Sequence, residues 1–245
     1  PYANLDSDAR SIMSELDANK NQIGHGSFGR VYKSIYKTRE GNIIDVAVKK
    51  INIRNSEGFP LSAIREITIL KKYTHPNIVK LIDTFVDKPE KNKRGNVSLV
   101  YEYAQHALAS LIKEKIDFDL ECIKSIMFQI LNGVKFIHYN YILHRDIKPA
   151  NILITNKGEV KLADFGLSRE FNNKSFSTIA GTPLYTAPEL CNAIGNYMPI
   201  KCDLWAIGVI IYQLKFNELS FSFYQGKIPK SFDNRLLDDL VKKLI

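Results

Sequence analysis

The spacing of apolar residues divides the chain into a strand-like first part and a helical second part. In the first hundred residues, short runs rich in β-branched and apolar side chains predict strands. The predicted strands are Ile23–Ile35 (interrupted by a glycine turn), Ile43–Ile53, Ile78–Val86 and Val97–Tyr103. A spacing of three residues between apolar positions predicts a helix over Leu61–Tyr73, and the charged stretch Asp87–Asn96 predicts a surface loop.

Helical periodicity dominates after Tyr103. Apolar residues between Ile123 and Ile137 trace one face of a long amphipathic helix, and Cys202–Leu214 is apolar on nearly every side, as in a buried helix. The pattern therefore predicts a small β-rich lobe followed by a larger helical lobe, joined near Glu102–Gln105. A cleft between two such lobes is a favoured place for a small-molecule site.

Composition and charge narrow the classes of function. The net charge is +8, but the basic residues are scattered and match no known nucleic-acid-binding module, so we expect no specific nucleic-acid binding. Attraction to an acidic or phosphorylated substrate remains an alternative. The longest apolar run, Leu204–Tyr212, is far shorter than the roughly 20 residues that span a bilayer. Three cysteines without a CxxC pair favour a reducing intracellular compartment, either nucleus or cytoplasm.

A glycine-rich stretch, Gly24-His25-Gly26-Ser27-Phe28-Gly29, lies inside the first predicted strand pair. Glycines allow backbone N–H groups to approach phosphate oxygens, because no Cβ stands in the way. The same spacing also marks dinucleotide-binding folds, but there the third glycine opens a helix, whereas here Val31 continues a strand. A simple turn is the alternative for this motif taken alone.

One lysine and one glutamate of the first part carry charges that could act together. Lys49 ends the run Val46-Ala47-Val48 on a predicted strand, and Glu66 lies in the predicted helix that follows. Glu66 could fix the ammonium group of Lys49 on bound phosphates. A solvated lysine at a strand edge is the alternative.

The run His144-Arg145-Asp146-Ile147-Lys148-Pro149-Ala150-Asn151 carries the most specific chemistry. Asp146 can accept the proton of an attacking hydroxyl, and Lys148 can neutralise a phosphoryl group in transfer. Asn151, together with Asp164 of the run Asp164-Phe165-Gly166, offers the hard oxygen ligands that suit Mg²⁺.

These motifs together resemble the protein kinase family. The glycine loop, the Val46–Lys49 run, the His144–Asn151 run, Asp164–Gly166 and Ala187-Pro188-Glu189 match its signature set. The resemblance implies an α+β, two-lobed fold, with residues 1–104 as the N-lobe and 105–245 as the C-lobe. Two features resemble those of kinases that phosphorylate serine and threonine: Lys148 shortly after Asp146, and the pair Gly181-Thr182.

The resemblance also implies roles for individual residues, with ATP and Mg²⁺ as cofactors. Asp146, Lys148, Lys49 and Glu66 are the implied catalytic residues, and Asn151 and Asp164 the implied metal ligands. The implied ATP-binding residues are Ile23, Gly24, Gly26, Gly29, Val31, Ala47, Lys49, Glu102, Ala104 and Leu153.

Within the family, the stretch Glu57–Glu66 is similar to the cyclin-binding helix of cyclin-dependent kinases, and its opening resembles the transcription-associated subgroup that acts on the RNA polymerase II tail. The resemblance implies a protein substrate, a cyclin-like regulatory subunit and a Lys49–Glu66 pair that is loosely formed without it. It further implies activating phosphorylation at Ser177 or Thr178, read by Arg65, Arg145 and Arg169.

Some positions depart from the family pattern. Ala107 replaces an acidic residue that contacts the ATP ribose, and Phe28 replaces an inhibitory tyrosine. Leu184 and Thr186 replace a tryptophan and an arginine, so specificity for proline after the target residue is not implied. The chain ends at Ile245, before the arginine that pairs with Glu189 in the family, so we expect an incomplete C-lobe. A cyclin-independent kinase of another group and a pseudokinase that only binds remain alternatives.

Overall fold

The structure is a computed structural model that describes residues 22–26, 29–38, 40–52, 59–86, 96–171, 181–191, 199–219, 223, 227–228 and 230–245. The chain forms two compact units. The first unit comprises Pro1–Tyr73 and Val79–Tyr103, and the second comprises Thr74–Ile78 and Ala104–Ile245. Ser27, Phe28, Ser177 and Thr178 lie outside the described residues.

The first unit contains one antiparallel sheet in the order β1-β2-β3-β5-β4. Its strands are β1 (Gln22–Gly26), β2 (Gly29–Lys37), β3 (Ile43–Asn52), β4 (Leu81–Val86) and β5 (Asn96–Glu102). Alternation of side chains along β3 and β5 gives the sheet two apolar faces. On one of them, Val46, Val48, Phe85 and Val100 form a buried cluster. Burying side chains of this size contributes roughly 1.5–3 kcal/mol each.

Helix α1 (Leu61–Lys72) is the helix predicted from the three-residue apolar spacing. It buries Ala63, Ile69 and Leu70 together with one charged residue, Glu66. Lys71 and Lys72 occupy its last turn, where positive charge is favourable beside the helix dipole. A single buried glutamate on an otherwise apolar face requires a partner, because an unpaired buried charge is costly.

The predicted strand Ile78–Val86 is wrong at its start. The observed strand, β4, begins at Leu81, and Ile78 instead makes an isolated parallel bridge with Leu162. The backbone N–H of Leu162 also donates to the carbonyl of Asn77, at 2.9 Å. Ile78 therefore belongs to the second unit, and its apolar side chain is buried there rather than in the sheet.

The second unit is mainly helical. Its helices are α2 (Leu108–Lys113), α3 (Leu120–Tyr139), α4 (Pro188–Cys191), α5 (Pro199–Phe216) and α6 (Arg235–Leu244). Its short strands form a three-stranded sheet of β6 (His106–Ala107), β8 (Ile152–Ile154) and β9 (Val160–Leu162), and a pair of β7 (Ile142–Leu143) with β10 (Arg169–Glu170). No helix of the described part of the chain is long and apolar enough to cross a membrane.

Helices α3 and α5 are the two long helices predicted from the apolar pattern. Asp119 caps α3, because its carboxylate accepts a hydrogen bond of 2.7 Å from the backbone N–H of Cys122. Helix α5 packs closely on α6 at Gly208, where a Cβ would lie 2.8 Å from the side chain of Ile245. Within α5, burial above all raises the pKa of Cys202 to about 12, so its thiol stays protonated at neutral pH.

Candidate active site

The glycine-rich hairpin and the lysine lie on neighbouring strands of the first unit. The sheet register pairs Gly24 with Val31, and Val31 with Lys49. Gly26 pairs with Gly29 at the end of the hairpin, and a Cβ on Gly29 would collide with the backbone oxygen of Lys50. Glycine is therefore required at position 29 by the close approach of two strands.

Lys49 and Glu66 form a buried ion pair within the first unit. The ammonium nitrogen of Lys49 lies 2.9 Å from Oε2 of Glu66, and the two residues are 7% and 2% exposed. The other carboxylate oxygen of Glu66 accepts a hydrogen bond of 2.7 Å from the hydroxyl of Tyr101. The pairing expected from the sequence is present, and Tyr101 is an additional partner that the sequence analysis missed.

The remaining expected ATP-binding residues of the first unit lie on strands of its sheet. Ile23 is exposed, whereas Val31 and Ala47 are half-buried. Ala47 pairs with Tyr101 in the register of β3 and β5. The backbone of Glu102 donates to the carbonyl of Lys80, at 3.0 Å, and its carboxylate accepts from the N–H of Lys80 at 2.7 Å. The second unit contains Ala104 and Leu153, which are also half-buried.

Asp146 is the centre of a hydrogen-bonded cluster in the second unit. Its Oδ1 accepts a hydrogen bond of 2.9 Å from the hydroxyl of Thr182, and its Oδ2 lies 2.8 Å from the ammonium nitrogen of Lys148. Lys148 also donates to the hydroxyl of Thr182, at 2.8 Å. These three residues fix both the orientation and the charge of a carboxylate that is only 6% exposed.

Asn151 and Asp164 are brought together by the backbone. The side-chain nitrogen of Asn151 donates to the carbonyl and to Oδ2 of Asp146, at 2.8 and 2.9 Å, which orients the amide group. The N–H of Ala163 donates to the carbonyl of Asn151, at 2.9 Å, so Asp164 follows directly. Asp164 adopts the left-handed conformation, with φ of 64°, a strained state for a residue other than glycine.

Asp203 on α5 binds the backbone of the catalytic run (His144–Asn151), a role that the sequence did not predict. Its carboxylate accepts hydrogen bonds from the backbone N–H groups of His144 and Arg145, both at 2.9 Å, and lies 2.8 Å from Nε2 of His138. Burial favours a higher pKa for Asp203, but the hydrogen bonds and the charge of the histidines outweigh it and hold the pKa below its ordinary value. The signal for Asp203 was its position as a lone acid in an apolar helix.

The three arginines expected around a phosphate lie in both units. Arg65 is on α1, in the first unit. Arg145 and Arg169 belong to the second, where Arg169 pairs with Leu143 in the two-stranded sheet. Because the expected phosphorylation sites lie outside the described residues, this grouping stays a prediction.

The segment before Ala187 packs tightly on the catalytic run. Gly181 has φ of 119°, and a Cβ there would lie 2.8 Å from the backbone oxygen of Arg145. The hydroxyl of Thr186 donates to the carbonyl of Thr182, at 2.9 Å. Burial raises the pKa of Tyr185 to about 12, and its hydroxyl donates to Gln213 at 2.7 Å. Thr182 is thereby held against Asp146.

Comparison with known proteins agrees with this geometry. The profile of the protein kinase domain matches residues 18–240. The chain belongs to the protein kinase family. The predicted family and the predicted α+β fold class are therefore confirmed. No group of three or more histidine, cysteine, aspartate or glutamate residues in the described part of this kinase could hold a metal ion on its own.

The kinase is similar to several cyclin-dependent kinases, which confirms the predicted resemblance. It is 41% identical over 203 residues to cyclin-dependent kinase 12 of Caenorhabditis elegans, covering 79% of this chain and 27% of the relative. It is 40% identical over 203 residues to human cyclin-dependent kinase 9, covering 79% and 54%. It is 37% identical over 210 residues to the serine/threonine-protein kinase bur1 of Emericella nidulans, covering 79% and 38%. The chain thus spans about half or less of the length of these relatives.

Proposed function

We propose that this chain transfers the γ-phosphate of ATP to serine or threonine hydroxyls of a protein substrate. The observation that carries the proposal is the cluster of Asp146, Lys148 and Thr182, joined by contacts of 2.8–2.9 Å. Catalysis of phosphoryl transfer depends mainly on positioning and charge stabilisation, and this cluster can provide both.

Each member of the cluster has a distinct task in the proposed reaction. Asp146 accepts the proton of the attacking hydroxyl and orients its oxygen toward phosphorus. Lys148 stabilises negative charge on the phosphoryl group in transfer. The hydroxyl of Thr182 donates to one and accepts from the other, so it fixes the carboxylate and the ammonium group relative to each other.

The residues of the first unit bind the nucleotide in this proposal. Backbone N–H groups near Gly24, Gly26 and Gly29 contact phosphate oxygens, and Lys49, held by Glu66, binds the α- and β-phosphates. Ile23, Val31 and Ala47 contact the adenine, whose edge bonds to the backbone at Glu102. Ala107 leaves the ribose without the usual acidic contact.

Asn151 and Asp164 fit a magnesium ion. Both donors of the Asn151 amide are used on Asp146, which leaves the amide oxygen as the group available to a cation. A carboxylate and an amide oxygen are hard ligands of the kind that Mg²⁺ takes, so Asp164 and Asn151 would hold the ion. When bound, Mg²⁺ neutralises phosphate charge, while Asp146 handles the proton.

The proposed partner is a cyclin-like subunit, and the proposed substrates include the RNA polymerase II tail. The names of the relatives, which are cyclin-dependent kinases, support the subunit. The proposed substrate is supported by the resemblance of the stretch that opens at Glu57 to the transcription-associated subgroup. Leu61 and Ile64 of α1 are 67% and 44% exposed, which gives such a subunit an apolar surface to bind. We expect the kinase to act inside the cell, in the nucleus or the cytoplasm.

A second candidate is a serine/threonine kinase that works without a cyclin. The short contact between Lys49 and Glu66 favours this candidate, because the pair forms within the first unit and Tyr101 is a further partner of Glu66. This candidate keeps the same reaction and changes only the need for a subunit.

The test is a peptide array incubated with the purified chain and MgATP, with and without candidate cyclins. We expect phosphate on serine and threonine peptides, including polymerase-tail repeats, and little on tyrosine peptides. Stimulation by a cyclin supports the first candidate, and equal activity without one supports the second. Binding of MgATP without any transfer, under all conditions, would contradict both and favour a pseudokinase.

A further inference from the structure

The hydroxyl of Tyr101 shares the buried carboxylate of Glu66 with Lys49. We propose that Tyr101 is a positioning residue that holds Glu66, and with it helix α1, in the arrangement that lets Lys49 bind phosphate. This inference rests on the proposed function for its catalytic consequence, but its structural part stands on the hydrogen bond of 2.7 Å alone.

Sheet register explains why Tyr101 can reach this carboxylate. Tyr101 pairs with Ala47, and Leu99 pairs with Lys49, so the lysine and the tyrosine project from the same face of the sheet. Helix α1 presents Glu66 among its buried residues. Two side chains from adjacent strands therefore converge on one carboxylate of the helix.

Burial makes the phenol hydroxyl important. Glu66 is 2% and Tyr101 5% exposed, so little water can replace a lost donor. Lys49 contacts Oε2, whereas Tyr101 contacts Oε1, so each oxygen has its own donor. Phenylalanine at position 101 would fill nearly the same volume and leave Oε1 without the phenol hydroxyl in a buried site, which is costly for a charged group.

The consequence concerns regulation. A kinase whose glutamate is held only by its lysine depends more on an external subunit to keep the helix in place. Here β5 supplies a second bond to the same glutamate, so α1 stays in place in the free chain. A subunit that binds the exposed Leu61 side of α1 would add little to formation of the Lys49–Glu66 pair, and its effect on activity would arise elsewhere.

The test begins with Tyr101→Phe, measured by hydrogen exchange of the α1 amides in the chain without nucleotide or partner. We expect those amides to exchange about tenfold faster, the size of effect expected when a hydrogen bond to a charged group is lost, with exchange in α3 and α5 unchanged. The matched control is Tyr36→Phe, because the Tyr36 hydroxyl donates to Oδ2 of Asp83 at 2.8 Å in the same unit. This control should leave α1 exchange as it is.

A double-mutant comparison with Glu66 shows whether Tyr101 acts through its hydrogen bond to Glu66 or only through the packing of its ring. In a Glu66→Ala background, Tyr101→Phe should have no further effect on α1 exchange, because the acceptor is gone. In the chain with Glu66 present, Tyr101→Phe should also lower kcat/KM for ATP about threefold to tenfold, and a candidate cyclin should restore part of the loss.

Three results would overturn the proposal: unchanged α1 exchange in Tyr101→Phe, an equal increase in Tyr36→Phe, or an undiminished effect in the Glu66→Ala background. The exchange measurement needs no substrate. A chain that transfers no phosphate would therefore contradict the proposed function, and the role of Tyr101 in holding α1 would still be decided by hydrogen exchange.

Discussion

Replacing Asp203 by asparagine probes the support beneath the catalytic run. Its carboxylate is 2% exposed and receives two backbone hydrogen bonds of 2.9 Å and a contact of 2.8 Å from His138. Asparagine keeps the shape of the aspartate side chain but has one acceptor oxygen in place of two. Its NH₂ group would then face a hydrogen-bond donor, such as the backbone N–H of His144 or Arg145. Losing one hydrogen bond to a charged group costs about 1.5–3 kcal/mol, and a buried unsatisfied donor adds about 1–3. We expect a total destabilisation of about 2.5–6 kcal/mol.

Urea denaturation measures this loss, and phosphate transfer to a peptide measures its effect on the catalytic run. Because the backbone of His144 and Arg145, next to Asp146, loses an anchor, we expect kcat to fall about 10²-fold in the folded variant. Asp119→Asn is the matched control, since Asp119 is exposed and asparagine caps a helix as well as aspartate.

The pH dependence of the difference follows from the lowered pKa of Asp203. The stabilisation is present above the ordinary value of 3.8 and is lost as pH falls through the folded-state pKa. The part of the stability difference that comes from the Asp203 carboxylate should therefore be present at neutral pH and shrink as pH falls through the lowered pKa, in acid. A destabilisation under about 1 kcal/mol with unchanged kcat would refute the anchoring role of Asp203.

Three further predictions concern the segment before Ala187. Gly181→Ala should cost about 1–2 kcal/mol in backbone strain and more from the contact with Arg145, whereas Gly158→Ala, with φ of 76° and open space, should show the strain alone in denaturation curves. Phosphate at Ser177 or Thr178 should raise activity, because Arg65, Arg145 and Arg169 would bind it. This role would be excluded if mass spectrometry found neither site modified in active enzyme and the double alanine variant were fully active. Any preference for Ser-Pro over Ser-Ala peptides should be at most about tenfold, since Thr186 donates to Thr182 and no arginine stands at that position; a hundredfold preference would contradict this.

The sequence predicts those parts of the site that depend on local motifs. The runs around Asp146 and Asp164 carry their chemistry within a few residues, and the Lys49–Glu66 pair follows from a strand and a helix that are adjacent in the chain. The same holds for α1, α3 and α5, whose apolar spacing is regular.

Partners that meet only through tertiary structure could not be predicted in this way. Thr182 contacts Asp146 across 36 positions, Tyr101 contacts Glu66 across 35, and Asp203 contacts Arg145 across 58. Each is an ordinary residue in a strand, turn or helix until the fold brings it to its partner. The start of β4 was misjudged for the same reason, because Ile78 finds Leu162 rather than the sheet.

The central claim is that Asp146 accepts the proton of the attacking hydroxyl in phosphate transfer. The most direct test is the single-turnover rate of transfer from MgATP to a serine peptide by Asp146→Asn beside the unaltered chain, with folding and MgATP affinity measured in parallel. We predict that the rate falls roughly 10²-fold or more while MgATP affinity changes little. A correctly folded Asp146→Asn variant that transfers phosphate at a near-normal rate would contradict the account.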